Sequence, residues 1–69
     1  MKDKFSDNLK QLRSDHKLSQ KDIAQLLGVT QQCISEWELG KTEPTMTYLC
    51  IIADKFNISI DSLCGRKDY

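Results

Sequence analysis

The part of the sequence that most constrains the fold lies between residues 19 and 40, where two short segments are each bounded by a hydroxyl residue and a glycine. Ser19 precedes the first segment and Gly28 follows it, whereas Thr30 and Gly40 bound the second. A hydroxyl oxygen accepts a hydrogen bond from a free backbone N–H in the first turn of a helix, and glycine adopts the left-handed conformation that ends one. The pattern predicts two short helices joined by a turn of about three or four residues.

The second of these helices has one apolar face and one polar face. Ile34 and Trp37 stand three positions apart, a spacing that places them on the same side of a helix, and Val29 precedes the cap. Two helices joined by a short turn that contains glycine are typical of a helix-turn-helix motif, in which the second helix lies at a steep angle to the first. Four polar side chains of the second helix project elsewhere and are free to recognise a partner: Gln31, Gln32, Ser35 and Glu36.

Apolar residues at helical spacing predict further helices on both sides of this motif. In the first helix of the chain, residues that can face the core recur at intervals of four, three and four from Phe5 to His16. Either Asp3 or Ser6 can be the N-cap of this helix. No segment alternates convincingly with the period of a strand, so we predict an all-α domain of five helices spanning residues 1–69. The predicted helices cover about residues 4–15, 19–27, 30–39, 45–56 and 59–64.

Caps and apolar positions define the rest of the predicted fold. The second helix is expected to pack through Ile23, Ala24, Leu26 and Leu27, and the fourth through Met46, Leu49, Ile52, Ala53 and Phe56. Ser19, with Asp22 three positions later, resembles a capping box. The expected boundaries of the last two helices are Thr45, Asn57, Ser59 and Gly65, and residues 66–69 are expected to fray.

Length and composition exclude several classes of protein. A domain of 69 residues buries only about 60% of the surface of its unfolded chain, so no deep catalytic cleft is expected. The sequence has no clustered acid–base pair, no nucleophile beside a base and no phosphate-binding glycine loop, so we predict that the chain is not an enzyme. The three cysteines form no CxxC pair and there is one histidine, so no metal or other cofactor is predicted. No apolar run can span a bilayer, and the cytoplasm is the expected location.

The overall charge counts against a nucleic-acid partner. The chain carries ten basic and ten acidic residues and therefore has no net charge, whereas proteins that neutralise phosphates usually have an excess of lysine and arginine. Residues 1 to 41 hold seven of the basic residues and six of the acidic ones. Any positive surface must therefore arise from local arrangement.

The sequence nevertheless resembles the helix-turn-helix domains of the Cro/CI type, also called the XRE family, over roughly residues 9 to 64. The resemblance implies a five-helix fold like that of the lambda repressor, and its Thr30-Gln31-Gln32 start is similar to that of lambdoid phage repressors that read adenine-rich half-sites. Other residues at the family's spacing are Arg13, Leu18, Ser19, Gln20, Ala24, Gly28, Ile34, Trp37, Glu38, Gly40 and Pro44.

The resemblance implies that the third helix enters the major groove of double-stranded DNA with its N-terminal residues at the base edges. Glutamine pairs in a bidentate manner with adenine N6 and N7, whereas a carboxylate such as that of Glu36 accepts from cytosine N4. A methyl group on Thr30 can meet a thymine methyl, and Ser35 can reach a base or a phosphate. The expected base contacts are Thr30, Gln31, Gln32, Ser35 and Glu36.

Two further sets of residues follow from the resemblance. Gln20, at the start of the second helix, would present its amide and nearby backbone N–H groups to a phosphate. Lys41, with the backbone N–H groups of Gly40 and Thr42, would form a second phosphate clamp. The expected phosphate contacts are Gln20, Lys21, Gly40, Lys41 and Thr42, and Arg13 and Glu38 are expected to form an internal ion pair.

Alternative roles remain for individual side chains. Trp37 is expected to lie in the core and not to stack on bases, and His16 is expected in an exposed loop. Cys33 is either a small packing residue or a reactive thiol, because a helix N-terminus favours a thiolate. Apolar surface that a domain this small would bury in a homodimer is expected on and beyond the fourth helix, from Tyr48, Ile51, Ile58, Ile60, Leu63 and Cys64.

We therefore predict a dimeric transcriptional regulator, a repressor, that binds a palindromic operator. The alternative is an antitoxin-like interaction module that binds a toxin or another protein partner and regulates its own operon.

Overall fold

The computed structural model describes residues 5–64, and within this range the chain forms five helices and no strand, as the all-α prediction requires. The helices are α1 (Phe5–Asp15), α2 (Gln20–Leu27), α3 (Gln31–Leu39), α4 (Met46–Phe56) and α5 (Ile60–Cys64). None of these helices has both the length and the apolar character needed to cross a membrane. The proposed boundaries at Asp3 and Gly65, and the expected fraying of residues 66–69, lie outside the described residues.

Helix α2 begins with the capping box that its first residues predict. The Ser19 hydroxyl accepts a hydrogen bond from the backbone N–H of Asp22 at 3.0 Å, and the Asp22 carboxylate accepts one from the backbone N–H of Ser19 at 3.0 Å. Bonding to the Ser19 backbone, and then to its side chain, lowers the pKa of Asp22. Gly28 ends the helix with a φ of 75°, in the left-handed region.

The turn into α3 is as short as the sequence predicts. Only Gly28, Val29 and Thr30 separate α2 from α3. The Thr30 hydroxyl accepts a hydrogen bond from the backbone N–H of Cys33 at 3.1 Å, which caps the first turn of α3. Gly40 ends the helix with a φ of 76°. The two helices thus form the expected helix-turn-helix arrangement.

Helix α4 departs from its prediction at one end. Thr45 occupies the N-cap position with an extended backbone, but its side chain makes no capping hydrogen bond, so its hydroxyl does not have the predicted role. Asn57 ends the helix in the left-handed region with a φ of 57°. Ser59 caps α5, since its hydroxyl accepts from the backbone N–H of Ser62 at 3.0 Å.

The core draws one or more residues from every helix. Trp37 belongs to this core with 4% of its surface exposed, and its ring contacts those of Phe5 and Tyr48 at centroid distances of 6.2 and 5.7 Å. An indole buried in this way cannot stack on bases, so Trp37 is a core residue, as expected from the sequence. The largest fully buried side chains are Leu9, Ile23, Ile34, Ile52 and Leu63. Leu63 therefore belongs to the core of the domain and not, as expected, to apolar surface left for a dimer interface.

Two residues assigned to apolar helix faces are exposed instead. Leu26 and Met46 keep 42% and 63% of their surfaces accessible, and Leu39 at the end of α3 keeps 67%. Helical spacing predicts the apolar face of α2 and of α4. In each helix, the part of that face that is buried against neighbouring helices is narrower than the face itself. His16 is exposed as expected, with its ring 4.8 Å from that of Phe56.

Helices α1 and α5 are joined by a polar contact. The Asn8 side-chain amide donates to the backbone carbonyls of Leu63 at 2.9 Å and Ser62 at 3.3 Å. The last carbonyls of a helix have no partner within the helix, so this amide satisfies two of them. The contact fixes the C-terminal end of α5 against α1.

Candidate nucleic-acid interface

Helix α3 presents its first turns to solvent and buries the opposite face. Ile34 and Trp37 have 0% and 4% of their surfaces exposed and attach the helix to the core. Gln31 and Gln32 in the first turn are exposed, as is the Thr30 cap, whereas Ser35 and Glu36 one turn later are half-buried. The five residues predicted to contact bases therefore share one end of α3: Thr30, Gln31, Gln32, Ser35 and Glu36.

Two of these side chains bond to each other. The Gln32 amide nitrogen donates to Oε2 of Glu36 at 3.1 Å. An ionised carboxylate only accepts hydrogen bonds, so the amide must turn its nitrogen toward Glu36 and its oxygen away. A spacing of four residues on a helix allows such a pair, so the sequence itself contained the signal for this hydrogen bond.

The other end of α3 is anchored by Glu38. Arg13 on α1 donates to Glu38 through Nε to Oε2 at 2.7 Å and through Nη2 to Oε1 at 3.0 Å, which makes a two-point ion pair. Gln20 on α2 donates to the same Oε1 at 3.0 Å. The Arg13 guanidinium also reaches the backbone carbonyl of Leu18 at 3.2 Å. One carboxylate thus connects α3 to both preceding helices.

The environment of Glu38 changes the pKa of both partners. Burial raises the pKa of Glu38, but hydrogen bonds from Arg13 and Gln20 and the positive charge of Arg13 outweigh burial, so the pKa lies below the usual glutamate value. The hydrogen bond to Glu38 raises the pKa of Arg13 further above its already high value. Both groups remain charged at neutral pH, and the ion pair expected from the resemblance is present.

The predicted phosphate contacts lie on both sides of α3. Lys21 is exposed and Gln20 is half-buried at the start of α2, with the Gln20 amide nitrogen committed to Glu38. Gly40, Lys41 and Thr42 are exposed in the loop after α3. The backbone N–H of Gly40 donates to the carbonyl of Trp37 at 3.2 Å within the helix end. Gly40 therefore sets the direction of the loop and does not offer a free N–H.

The Cys33 thiol lacks the features of a reactive cysteine. It is half-buried against the core, and burial raises its pKa, with the nearby charge of Glu36 acting in the same direction. Both effects oppose formation of the thiolate. Cys33 is a packing residue, and residues 5–64 contain no group of histidine, cysteine or carboxylate side chains arranged to hold a metal.

Comparison with known proteins identifies the group to which this arrangement belongs. The helix-turn-helix family matches residues 9–63, which is most of the chain. The chain belongs to this family, in its Cro/CI-type branch. The resemblance predicted from the sequence is thereby confirmed.

Relatives of this helix-turn-helix chain include regulators and an antitoxin. It is 40% identical over 64 residues to the HTH-type transcriptional activator BcrR of Enterococcus faecalis, covering 93% of this chain and 31% of BcrR. It is 33% identical over 59 residues to Antitoxin PezA of Streptococcus pneumoniae, covering 86% of this chain and 37% of PezA.

A solved structure agrees with the fold. The crystal structure of a transcriptional regulator from Listeria innocua superposes with a TM-score of 0.92 and 32% identity, over 100% of this chain and 64% of that one. The chain thus spans about a third of the two curated relatives and under two thirds of the Listeria regulator.

Exposed charges of both signs lie on the segments that flank α3. Lys21 and Asp22 are exposed in the first turn of α2, and Lys41 and Glu43 are exposed in the loop after α3, while Glu36 is half-buried on α3 itself. No single sign of charge predominates among these five residues.

Proposed function

We propose that this chain binds double-stranded DNA in a sequence-specific manner and regulates transcription. The observation that carries the proposal is the division of α3: Ile34 and Trp37 fix one face in the core while Gln31 and Gln32 stand exposed at its N-terminal end. In a helix-turn-helix, this end of the second helix meets the base edges in the major groove. The family is one of DNA-binding regulators and not of enzymes, so the proposal includes no catalytic step.

Base contacts come from the exposed polar residues of α3. Gln31 is exposed at the first helical position and makes no side-chain bond to another described residue, so its amide is free to pair with adenine N6 and N7. Thr30 offers a methyl group although its hydroxyl is used as the cap. The full proposed set is Thr30, Gln31, Gln32, Ser35 and Glu36.

Phosphate contacts set the register of α3 on the duplex. Lys41 and Thr42 follow the turn made by Gly40, and Lys21 stands with Gln20 at the start of α2, where free backbone N–H groups favour an anion. The amide oxygen of Gln20 is turned away from Glu38, because its nitrogen donates to that carboxylate. Gln20 would thus orient the start of α2 and contact a phosphate with its amide, and Lys21 and Lys41 would supply the positive charge.

The proposed assembly is a homodimer that acts as a repressor in the cytoplasm. Pairing two copies about a two-fold axis would separate two α3 helices by about 34 Å, one turn of DNA, and would make the operator an inverted repeat. Repression requires only that the bound protein exclude polymerase, whereas activation requires an additional contact with it. BcrR, to which the chain is similar, is named an activator. Transcription from the operator with and without the protein would therefore distinguish repression from activation.

Selection of bound duplexes from a random DNA pool tests the proposed function, with Gln31→Ala as the matched control. We expect an inverted repeat whose half-site centres lie about 10 base pairs apart. The preference at one position of each half-site should disappear in Gln31→Ala. Recovery of no sequence above background would overturn the proposal.

A second candidate function is supported by the similarity to PezA and by the exposed apolar side chains. PezA is named an antitoxin. Leu26, Leu39 and Met46 offer 42%, 67% and 63% of their surfaces to solvent, which suits contact with another protein. Under this alternative the chain binds a toxin-like partner and its helix-turn-helix regulates the same operon. Co-purification with the product of an adjacent gene, abolished by Leu39→Lys, would favour it.

A further inference from the structure

The Gln32–Glu36 hydrogen bond has a consequence for which base this helix reads. We propose that Glu36, held in place by Gln32, accepts a hydrogen bond from the 4-amino group of a cytosine, so that each half-site contains a C·G pair opposite the second turn of α3. The inference rests on the proposed function and specifies its sequence preference.

The carboxylate is oriented before any DNA is bound. Gln32 donates to Oε2 of Glu36 at 3.1 Å in a solvent-exposed hydrogen bond, and Glu36 is half-buried on α3, so both contacts favour one position of the carboxylate. Within residues 5–64, Oε1 makes no hydrogen bond to a protein group. This oxygen is therefore the free acceptor that the second turn of α3 presents.

A carboxylate that enters the major groove needs donors, because burying a charge without hydrogen bonds is costly. Only cytosine N4 and adenine N6 present a donor on the major-groove edge. The phosphates supply none, and within residues 5–64 neither Lys21 nor Lys41 forms an ion pair with Glu36. The base is therefore the donor that the duplex itself offers to Glu36.

Cytosine meets this requirement better than adenine. In adenine the N6 donor lies beside the N7 acceptor, which repels a carboxylate, whereas in cytosine the N4 donor lies beside a C–H group. The partner guanine carries acceptors at N7 and O6, and the second N–H of the Gln32 amide can donate to one of them. The pair of side chains is thus complementary to a C·G pair read from the cytosine side.

Substitution of Glu36 gives the first test, by selection from a random duplex pool. The unsubstituted chain should select cytosine at one position of each half-site. Glu36→Gln, which replaces the carboxylate with an amide of the same shape, should shift that position away from cytosine and leave the others unchanged. Glu43→Gln is the matched control, because it removes the same charge from the loop and should leave every base preference unaltered.

Modified bases give the second test, on the selected duplex. N4-methylcytosine keeps its pairing with guanine but replaces the free amino hydrogen with a methyl group, and it should weaken binding roughly tenfold, the size of one good base contact. Replacing the paired guanine with 7-deazaguanine leaves the cytosine amino group intact and should change binding much less. In Glu36→Gln, N4-methylation should have a smaller effect than in the unsubstituted chain.

The possible failures are distinguishable. If a specific site is recovered but contains no cytosine that depends on Glu36, or if N4-methylation at that position has no effect, the inference is overturned while DNA binding stands. If the unsubstituted chain selects no sequence at all, the proposed function fails and this inference fails with it.

Discussion

Arg13 and Glu38 lie 25 positions apart in the sequence and meet through two hydrogen bonds of 2.7 and 3.0 Å. Their side chains are 24% and 5% exposed, so the pair is largely removed from water. Gln20 adds a third donor to the same carboxylate. This contact fixes α3 relative to α1 and α2 without involving the exposed side chains of α3.

Removing one partner of the Arg13–Glu38 ion pair should lower the free energy of unfolding more than replacing both partners with apolar residues. We expect Arg13→Met to lower the free energy of unfolding by about 3 kcal/mol, because the Glu38 carboxylate remains buried with only Gln20 as donor. The double variant Arg13→Met/Glu38→Leu should recover most of that loss, since no unpaired charge remains. Urea unfolding at pH 7 measures both. Equal losses in the single and double variants would show that an unpaired charge is not the cause.

The low pKa of Glu38 predicts how stability depends on pH. A carboxyl whose pKa is lower in the folded state stabilises the protein above its unfolded pKa, about 4.3 for glutamate, and this contribution disappears as pH falls through the folded pKa. Glu38→Gln resembles the protonated side chain at every pH. The variant should therefore be less stable at pH 7, and the difference should narrow below about pH 4. Thermal unfolding of both proteins from pH 7 to pH 3 measures it.

Asp22 also has a lowered pKa, so the pH dependence of the unsubstituted chain alone would not isolate Glu38. The comparison removes this effect, because Asp22 is present in both proteins. A difference in midpoint that stays constant down to pH 3 would contradict the assignment to Glu38.

The local features of the fold were predictable because they depend on neighbouring residues alone. Ser19 with Asp22, and Thr30 with the first turn of α3, form the capping bonds that their spacing predicts. Exposure was less predictable, since periodicity reveals an apolar stripe but not the width of the surface that covers it. Leu26 and Met46 are exposed for this reason.

The candidate interface was predictable only in part. The exposed position of Gln31 and Gln32 follows from the helix period once Ile34 and Trp37 are in the core. The bond from Gln20 to Glu38 joins residues 18 positions apart and depends on how α2 packs against α3, which no local pattern contains. Base and phosphate contacts remain predictions.

The end of α2 offers a test of backbone conformation. A Cβ atom on Gly28 would meet no atom within 4 Å, yet φ is +75°, so a substitution is opposed by the backbone and not by a clash. We expect Gly28→Ala to lower the free energy of unfolding by about 1 kcal/mol. Gly28→Asn should cost less, because asparagine tolerates this conformation, as Asn57 does at the end of α4. Urea unfolding measures both variants. Equal losses in the free energy of unfolding would contradict this account.

The cysteines should differ in reactivity. Burial and the nearby Glu36 raise the pKa of Cys33, and a thiol reacts through its thiolate. Cys50 is exposed. Under limiting iodoacetamide at pH 8, mass spectrometry of peptides should find Cys50 modified before Cys33. Faster modification of Cys33 would restore the possibility of a redox role in α3.

Gln31 and Lys41 should affect DNA binding in different ways, because one is proposed to read a base and the other to neutralise a phosphate. Gln31→Ala should reduce the preference for the selected duplex over a scrambled one by roughly five- to a hundredfold, the size of one bidentate contact, without changing the salt dependence. Lys41→Ala should weaken binding to both duplexes equally and reduce the slope of log affinity against log salt by about one.

Fluorescence anisotropy with both duplexes at several salt concentrations distinguishes the two roles. Lys55→Ala is the matched control, because it removes the same charge from α4, remote in sequence from α3, and should leave the slope unchanged. The chain has no net charge, so basic residues are not in excess and each phosphate contact should form a large share of the total slope. Equal loss of preference in Gln31→Ala and Lys41→Ala would mean that the two residues do not have separate roles.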